Sequence, residues 1–278
     1  MDIESDKKFK EIQIGELPPA FEKEVNKHIR VYSVVMLISD GDDSDVIPCS
    51  GTLCKIDQSY GIVSARHVWF NLVEKHQEIK IIMRNGLHTL KKGYLKAIYP
   101  PIHGTIYDCE VPDIVFICLP PNEGPVFEDY GKIFYSIDKR LTDQGYDLYG
   151  DDGYWATFGS PSKLLGREKR KAPSLVYCTE LKEKYERDGW DYLALDLNLE
   201  EGEQIPEDVR GMSGGGIWRT KFSMAPNLEA FVIENVYRDI IFSGVNFCQT
   251  RIEKRHSKII GHGPKSIYQC LVDLVKGL

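Results

Sequence analysis

Residues 61–69 read GIVSARHVW, an apolar run followed by a pair of small residues, Arg66 and then His67. A second run of β-type composition, SGTLCKI at residues 50–56, precedes it across a short polar stretch. Short runs bounded by turn residues are typical of β-strands, so we predict a strand, a turn, a second strand and then His67. An imidazole pKa of about 6.5 suits both the removal and the return of a proton near neutral pH. His67 is therefore a candidate acid–base residue, and a structural or surface histidine is the alternative.

Two further stretches supply partners for such a histidine. The run DIVFICLP at 113–120 places Asp113 at the start of a strand that reads as buried, and RGMSGGGIW at 210–218 places Ser213 among glycines. A serine hydroxyl is a weak nucleophile unless a neighbouring base removes its proton. The order His67, Asp113, Ser213, with gaps of 46 and 100 residues, therefore predicts nucleophilic serine chemistry.

Each member of this set has a competing interpretation. Ser213 could lie in a glycine-rich turn between strands, and Asp113 could be a carboxylate that faces solvent at the start of its strand. Asp108 and Asp147 are the competing candidates for the acid, but neither leads directly into an apolar run.

The five residues 211–215 also match the G-x-S-x-G elbow of the α/β-hydrolases. That fold needs an acid and then a histidine after the serine, and Asp239 with His256 or His262 could formally serve. It also needs a helix directly after the serine, where this chain has three consecutive glycines, which start a helix poorly. Alternation of strands and helices is not visible either, so the sequence disfavours this fold.

The rest of the chain reads as a series of short strands. Two sets of about six β-type runs lie within residues 31–120 and 154–263, and SIYQCLVDLVKGL at the end has helical spacing. This pattern predicts an all-β protein, either two consecutive barrels or a sandwich. We divide it into a polar extension with a short helix (1–29), a first barrel (30–135) and a second barrel with a closing helix (136–278).

At this point the chain resembles the trypsin/chymotrypsin-like serine proteases, and is closer to the bacterial, heat-shock-type members than to the secreted digestive ones. The stretches that carry the resemblance occur in family order: SGTLCKIDQSYGIVSARHV, DIVFICL, WATFGSP and ALDLN followed by RGMSGGGIW. It covers roughly residues 30–275. The resemblance implies a double six-stranded antiparallel β-barrel with the active site between the barrels and no metal or organic cofactor.

The resemblance also implies roles for individual residues. Ser213 would be the nucleophile, His67 the base and then the acid, and Asp113 the residue that fixes the imidazole tautomer. The backbone N–H groups of Gly211 and Ser213 would form the oxyanion hole. Glu207 and Val245 would belong to the substrate pocket, where an acidic floor formed by Glu207, with Asp208 beside it, would favour Lys or Arg in the substrate. A solvated acidic loop is the alternative for Glu207, and His262 is given no role.

Three positions depart from the family pattern. Met212 stands where secreted members carry an acidic residue that pairs with a newly cut N-terminus, so activation by that route is not expected. Gly216 replaces a proline, and Arg66 replaces a small residue beside His67.

Composition limits the partners. A net charge of −7 and a pI near 5.6 argue against nucleic acid or an anionic membrane as a partner. The basic clusters at 163–171 and 251–258 read as solvated surface. Seven cysteines without a C-x-x-C pair, together with the lack of an apolar signal region, predict reduced thiols and a cytoplasmic location, and do not predict a metal site.

The sequence thus predicts a serine endopeptidase that acts on a protein or peptide and is restrained or switched by a protein partner. A catalytically silent module that binds peptides or proteins on the same fold is the alternative. A hydrolase of small esters is the third hypothesis.

Overall fold

Two antiparallel sheets, one from each half of the chain, make up the body of the protein. The computed structural model describes residues 19–38, 46–71, 73–101, 112–143, 147–164, 174–198, 209–221, 223–224, 231–232, 240–253 and 255–277. All structural statements below concern these residues.

Within the described residues the first sheet contains eight strands. They are β1 (Ser33–Ile38), β2 (Ile47–Ile56), β3 (Ser59–Ser64), β4 (Glu78–Met83), β5 (Gly86–Lys91), β6 (Lys96–Ile98), β7 (Val115–Cys118) and β8 (Tyr135–Ser136). Seven of them follow the order β5-β4-β1-β2-β3-β7-β6 with antiparallel neighbours, and β8 pairs with β2 in parallel.

The part of the second sheet that the structure describes contains seven strands. They are β9 (Tyr154–Gly159), β10 (Leu175–Thr179), β11 (Leu181–Arg187), β12 (Trp190–Asn198), β13 (Gly216–Thr220), β16 (Ile240–Gln249) and β17 (His256–His262), and the short strands β14 (Ser223–Met224) and β15 (Phe231–Val232) pair separately. Their order is β10-β9-β13-β16-β17-β12-β11. All neighbours are antiparallel.

The predicted fold class is confirmed, because the chain folds as an all-β double barrel of chymotrypsin type. The predicted count of six strands in each barrel is wrong, since the described residues of each sheet form seven along its main path. Two of the strands that the sequence pattern missed are β5 and β11, both at sheet edges. β11 reads LKEKYER and is exposed along all but its first residue. A strand that buries almost nothing has no apolar alternation, so its sequence gives no strand signal.

Helices cover the two ends of the described chain. The helices are α1 (Pro19–Tyr32), α2 (Arg66–Asn71), α3 (Glu123–Asp129), α4 (Ile137–Thr142) and α5 (Val272–Lys276), the last preceded by a π-helical turn, Ser266–Leu271. The predicted N-terminal and C-terminal helices are therefore both present. None of the helices in the described ranges has the length and apolar character needed to cross a bilayer.

The N-terminal helix α1 continues to Tyr32, two residues into the range 31–120 where the sequence predicts the first set of strands. The last turn is held by side chains that come from outside it. Lys132 Nζ donates to the carbonyl oxygens of Arg30 and Ser33, and Ser33 Oγ donates to Ile29 O at 3.0 Å. A helix end is stabilised when such donors satisfy its last carbonyls, and Lys132 cannot be read from the local pattern.

The two sheets share one hydrophobic core. The same cluster contains Phe21 of α1, Phe116 of the first sheet, Trp218 of the second sheet and Tyr268 of the π-helical turn, all of them nearly inaccessible to solvent. Tyr268 Oη donates to Phe242 O at 2.8 Å and lies 2.9 Å from Tyr135 Oη. Because the packing is shared, it fixes the first sheet relative to the second, and residues contributed by both can therefore meet at defined distances.

Candidate active site

His67 lies in the first turn of α2, three residues after the end of β3. The turn is closed by a hydrogen bond from Val68 N to Ala65 O at 3.1 Å. Val68 and Trp69 are buried in the first-sheet core, whereas 30% of the His67 side chain is exposed. The helix thus anchors the histidine on its buried side and leaves the imidazole at the surface.

Asp113 binds His67 through both carboxylate oxygens. β3 pairs with β7 in a register that sets Ser64 opposite Val115, and this brings the residue two positions before Val115 to the start of α2. Asp113 Oδ2 lies 2.6 Å from His67 Nδ1, and Asp113 Oδ1 accepts the His67 backbone N–H at 2.8 Å. With Nδ1–H donated to the carboxylate, Nε2 keeps its lone pair and can act as a base.

The environment keeps Asp113 ionised. Burial by itself raises the pKa of its carboxyl, but the hydrogen bonds and the charge of His67 outweigh burial, and the net pKa is lower than its ordinary value. The carboxylate therefore carries its negative charge throughout the neutral range, as a residue that stabilises an imidazolium must.

Ser213 lies in a tight loop that is bound to both sheets. Ser50 of β2 donates its backbone N–H to Ser213 O at 3.1 Å and its hydroxyl to Gly211 O at 2.9 Å. From the second sheet, Asn246 O accepts the N–H of Gly214 at 2.8 Å. Each sheet thus holds one side of the loop, which fixes its position at the junction between them.

The loop packs against the segment that carries His67. A Cβ on Gly214 would lie inside van der Waals contact of Ser64 Oγ and 3.0 Å from Ala65 N. Ser213 Oγ itself lies 3.4 Å from Phe247 O, and no hydrogen bond of the described residues joins it to His67. The structure therefore bonds His67 directly to Asp113 and places the loop of Ser213 beside them.

Two backbone N–H groups of this loop have no acceptor within the described ranges. These are the amides of Gly211 and Ser213, the pair that the resemblance assigns to an oxyanion hole. The neighbouring amides of Met212 and Gly215 are used, since they donate to Val209 O at 3.0 Å and Met212 O at 2.9 Å. Gly211 has a φ of +96°, a backbone angle that residues other than glycine rarely adopt. Two unengaged amides on a fixed loop are suited to binding an oxyanion.

Replacing Gly214 with Ala is expected to destabilise the fold by several kcal/mol, on the order of the larger single-residue effects known. The residue has φ +87°, and its Cβ would overlap Ser64 Oγ and the backbone oxygen of Ser50. Denaturant unfolding of the variant measures the loss. Gly86→Ala is the matched control, because nothing lies within 4 Å of its Cβ, and its midpoint should match that of the wild type. Equal midpoints for the two variants would contradict the packing described for the loop.

An apolar side chain anchors the loop in the second sheet. Met212 is 3% exposed and belongs to a core cluster with Trp155, Leu193 and Ile217. Its Cγ would lie 2.5 Å from a Cβ at Gly159, so the glycine makes room for it. Secreted members of the resembled family carry an acidic residue at the position of Met212. In this chain, burial of the Met212 side chain holds the loop instead.

His262, to which the sequence assigned no role, contacts Asp113 directly. Its Nε2 accepts the backbone N–H of Asp113 at 2.9 Å, although the two residues lie 149 positions apart. The ring is fully buried, with the Tyr192 and Phe247 ring centroids at 4.9 Å and 5.1 Å. Nothing in the local stretch GHG signals this contact, because it depends on the packing of one sheet against the other.

Burial lowers the pKa of the His262 imidazole from 6.5 to about 4, and the charges of Asp113 and Asp191 offset only part of that effect. Between these two pH values the unfolded chain binds a proton that the folded chain does not. The free energy of unfolding should therefore decrease by up to about 3 kcal/mol as the pH falls from 6.5 to 4. The carboxyl of Asp113 contributes to the pH dependence mainly below this interval, because its pKa in the folded protein is lower than the ordinary value of 3.8 and the carboxylate is largely ionised in both states between pH 6.5 and 4.

Urea unfolding at pH 7.0 and at about pH 4.5 measures this contribution. The variant His262→Gln has no group that titrates at this position, so it should lose less stability than the wild type over the same interval. An identical loss in both proteins would show that His262 does not carry the effect.

The remaining residues predicted from the sequence are placed differently. Glu207, Asp208, Asp108 and Asp239 lie outside the described residues. Val245 is fully buried in the shared core, where it pairs with Gly216 and His262.

Asp147, a competing acid, pairs instead with Arg219 and Lys221 at 3.3 Å and 3.2 Å. His256 is exposed at the start of β17. Neither residue is hydrogen bonded to a candidate site residue in the described part of the chain.

Arg66, which departs from the pattern of the resembled family, binds the residue before Asp113. Its guanidinium lies over the rings of Phe70 and Tyr99, at 5.3 Å and 5.4 Å, and donates to Pro112 O at 3.4 Å. The side chain is buried, and the charge of Asp113 offsets part of the effect by which burial lowers the pKa of Arg66.

Among the described residues, no group of three or more His, Cys, Asp and Glu side chains could hold a metal ion. Six cysteines fall in these ranges, and each is a free thiol. No protein-family model matches the chain, and comparison with curated proteins gives no significant match.

Proposed function

We propose that this protein is a serine endopeptidase that hydrolyses peptide bonds through a Ser213–His67–Asp113 triad. The observation that carries the proposal is the pairing of His67 with both oxygens of Asp113, beside a serine loop whose Gly211 and Ser213 amides have no acceptor in the described ranges. Acid, base, nucleophile and oxyanion donors are the four elements that acyl transfer by serine needs.

In the proposed acylation step, Ser213 Oγ attacks the carbonyl carbon of the scissile peptide bond. His67 Nε2 takes the hydroxyl proton as the C–O bond forms, and Asp113 stabilises the resulting imidazolium without taking the proton. The carbonyl oxygen becomes an oxyanion within reach of the Gly211 and Ser213 amides. Loss of one such donor typically raises the barrier by about 2.7–4 kcal/mol.

Collapse of this tetrahedral intermediate breaks the C–N bond. His67 returns the proton to the leaving amine, and an acyl group remains on Ser213 Oγ. A water molecule then attacks the ester while His67 accepts one of its protons, and a second collapse releases the acid and restores the serine.

The position of the Ser213 hydroxyl favours one alternative. Its hydrogen-bond partner is Phe247 O and not His67. A catalytically silent module that binds peptides on the same fold could retain this arrangement permanently. In an active enzyme, a χ1 rotation or the arrival of substrate would bring Oγ to Nε2, since catalytic hydrogen bonds often tighten only when substrate is bound.

We also propose that the protein acts in the cytoplasm, on protein or peptide substrates and under the control of a protein partner. Free thiols at all six described cysteines are in keeping with a reducing compartment. Because the serine loop is anchored by the buried Met212, restraint of the enzyme would have to come from a source other than N-terminal cleavage.

A fluorophosphonate probe tests the proposal. We expect the folded wild type to be labelled, with the adduct located on Ser213 by peptide mass spectrometry, and the labelling to disappear on heat denaturation. Ser59→Ala removes a serine remote from the loop and should be labelled like the wild type. Folded protein that takes up no probe would overturn the enzyme hypothesis and favour the silent module.

A second measurement identifies the type of bond that the protein cleaves. Proteome extracts incubated with active protein should acquire new N-termini that are absent when a denatured sample is used. Turnover of aryl esters without any new N-terminus would replace the endopeptidase with a small-ester hydrolase.

A further inference from the structure

The backbone of Asp113 is held from the second sheet. Its carboxylate binds His67 of α2, which follows β3 of the first sheet, while its N–H donates to Nε2 of His262 at the end of β17. The bond satisfies this partly buried N–H, and a buried N–H without a partner is strongly disfavoured. The hydrogen bond at 2.9 Å is therefore a direct link between the second sheet and the acid of the candidate triad.

The imidazole that accepts this bond has a fixed orientation. Tyr192 and Phe247 lie against it, and the edge of Trp190 approaches with ring centroids 5.7 Å apart. β17 pairs His262 with Tyr192 on one side and with Val245 on the other. A ring enclosed in this way cannot rotate without displacing its neighbours, so Nε2 stays aimed at residue 113.

The bond also dictates the state of the ring. An Nε2 that accepts must be unprotonated, and the single proton of the neutral imidazole is then on Nδ1. Nδ1 is buried and has no hydrogen-bond partner among the described residues.

We propose that His262 is a positioning residue for the triad: as a neutral acceptor it holds the Asp113 backbone where the carboxylate can bind His67 through both oxygens. This inference rests on the proposed function and adds a fourth residue to it. His262 does not touch substrate or the reacting atoms and acts through Asp113. A displacement of about 1 Å in a catalytic group can lower a rate by about 10²-fold, which sets the scale of the expected effect.

Two substitutions distinguish the effect of the hydrogen-bond acceptor from the effect of the ring's volume. His262→Phe keeps an aromatic ring among the neighbouring aromatic side chains and removes the acceptor. His262→Gln supplies an oxygen as many bonds from Cβ as Nε2, so it can accept the Asp113 N–H. His256→Phe is the matched control, because His256 lies on the same strand and is exposed.

On a peptide substrate we expect His262→Phe to lower kcat on the order of 10- to 100-fold with little change in KM. His262→Gln should recover most of this loss, and His256→Phe should resemble the wild type. A purely structural role would reduce the amount of folded protein and leave kcat per active site unchanged. Active sites are counted by titration with the fluorophosphonate probe.

Proton NMR gives a readout that needs no activity. The His67 Nδ1–H donated to Asp113 should give a far-downfield resonance in the wild type and in His262→Gln. In folded His262→Phe the resonance should weaken or move upfield. If it is unchanged, or if kcat is unchanged, the positioning role is overturned while the proposed function stands. If the fluorophosphonate probe does not label the wild type, the proposed function is overturned. The His67 Nδ1–H resonance then still shows whether His262 holds Asp113 in place.

Discussion

Replacing Ser213 with Ala is expected to lower the kcat/KM for peptide hydrolysis by about 10⁶-fold, the loss seen when a triad nucleophile is removed. The variant keeps the loop and the unengaged amides but has no oxygen to form the acyl intermediate. The fold should survive, because the contact that Ser213 Oγ makes among the described residues is the 3.4 Å hydrogen bond to Phe247 O. Steady-state hydrolysis by both proteins measures the loss of activity, and their unfolding midpoints show whether the fold is retained.

A second variant shows whether the residues act as a unit. His67→Ala should be nearly as inactive as Ser213→Ala, and the double variant should be no worse than either single variant. Losses that add in the double variant, or a Ser213→Ala protein that keeps more than about 1% of the activity, would contradict a shared triad mechanism.

Asp113→Asn is expected to lower kcat by about 10⁴-fold at neutral pH. The Asn oxygen can still accept the His67 backbone N–H in place of Oδ1. Its amide then donates to Nδ1 where Oδ2 accepted, and this forces the proton of the imidazole onto Nε2. An Nε2 that is already protonated cannot take the proton of Ser213.

The competing acid provides the control. Asp147 pairs with Arg219 and Lys221, so Asp147→Asn should affect stability while hydrolysis per folded molecule stays at the wild-type level. Should Asp147→Asn abolish hydrolysis while Asp113→Asn does not, the assignment of the acid would have to be reversed. Both variants are assayed well below their unfolding temperatures.

The sequence was most informative where a local pattern reports a local structure. His67 follows a buried strand and Asp113 precedes one, and both patterns are short enough to read directly. The structure places His67 shortly after β3 and Asp113 shortly before β7, and these two strands are paired neighbours. The glycines around Ser213 likewise indicated a turn, and two of them have positive φ.

The direction of the side chains along β16 was less predictable for a physical reason. In β16 the residues 240–246 are all buried, and the successive residues Ile240, Ile241 and Phe242, which point to alternate faces of the sheet, all belong to the shared core. When both faces of a strand are buried, period-two alternation disappears and the direction of a side chain cannot be read. Val245, named as a pocket residue, lies in the core, and Glu207 lies outside the described residues.

The sequence by itself determined the all-β fold class, the order of the three candidate residues and the turn that presents the serine, because these depend on composition and on neighbours along the chain. Only the tertiary structure decided that Asp113 binds His67 with both oxygens, that Met212 anchors the serine loop, and that His262 reaches Asp113 from the other sheet. These contacts join residues 46 to 149 positions apart or depend on the packing of a whole barrel. No local pattern encodes them, since they form only when the two sheets share one core.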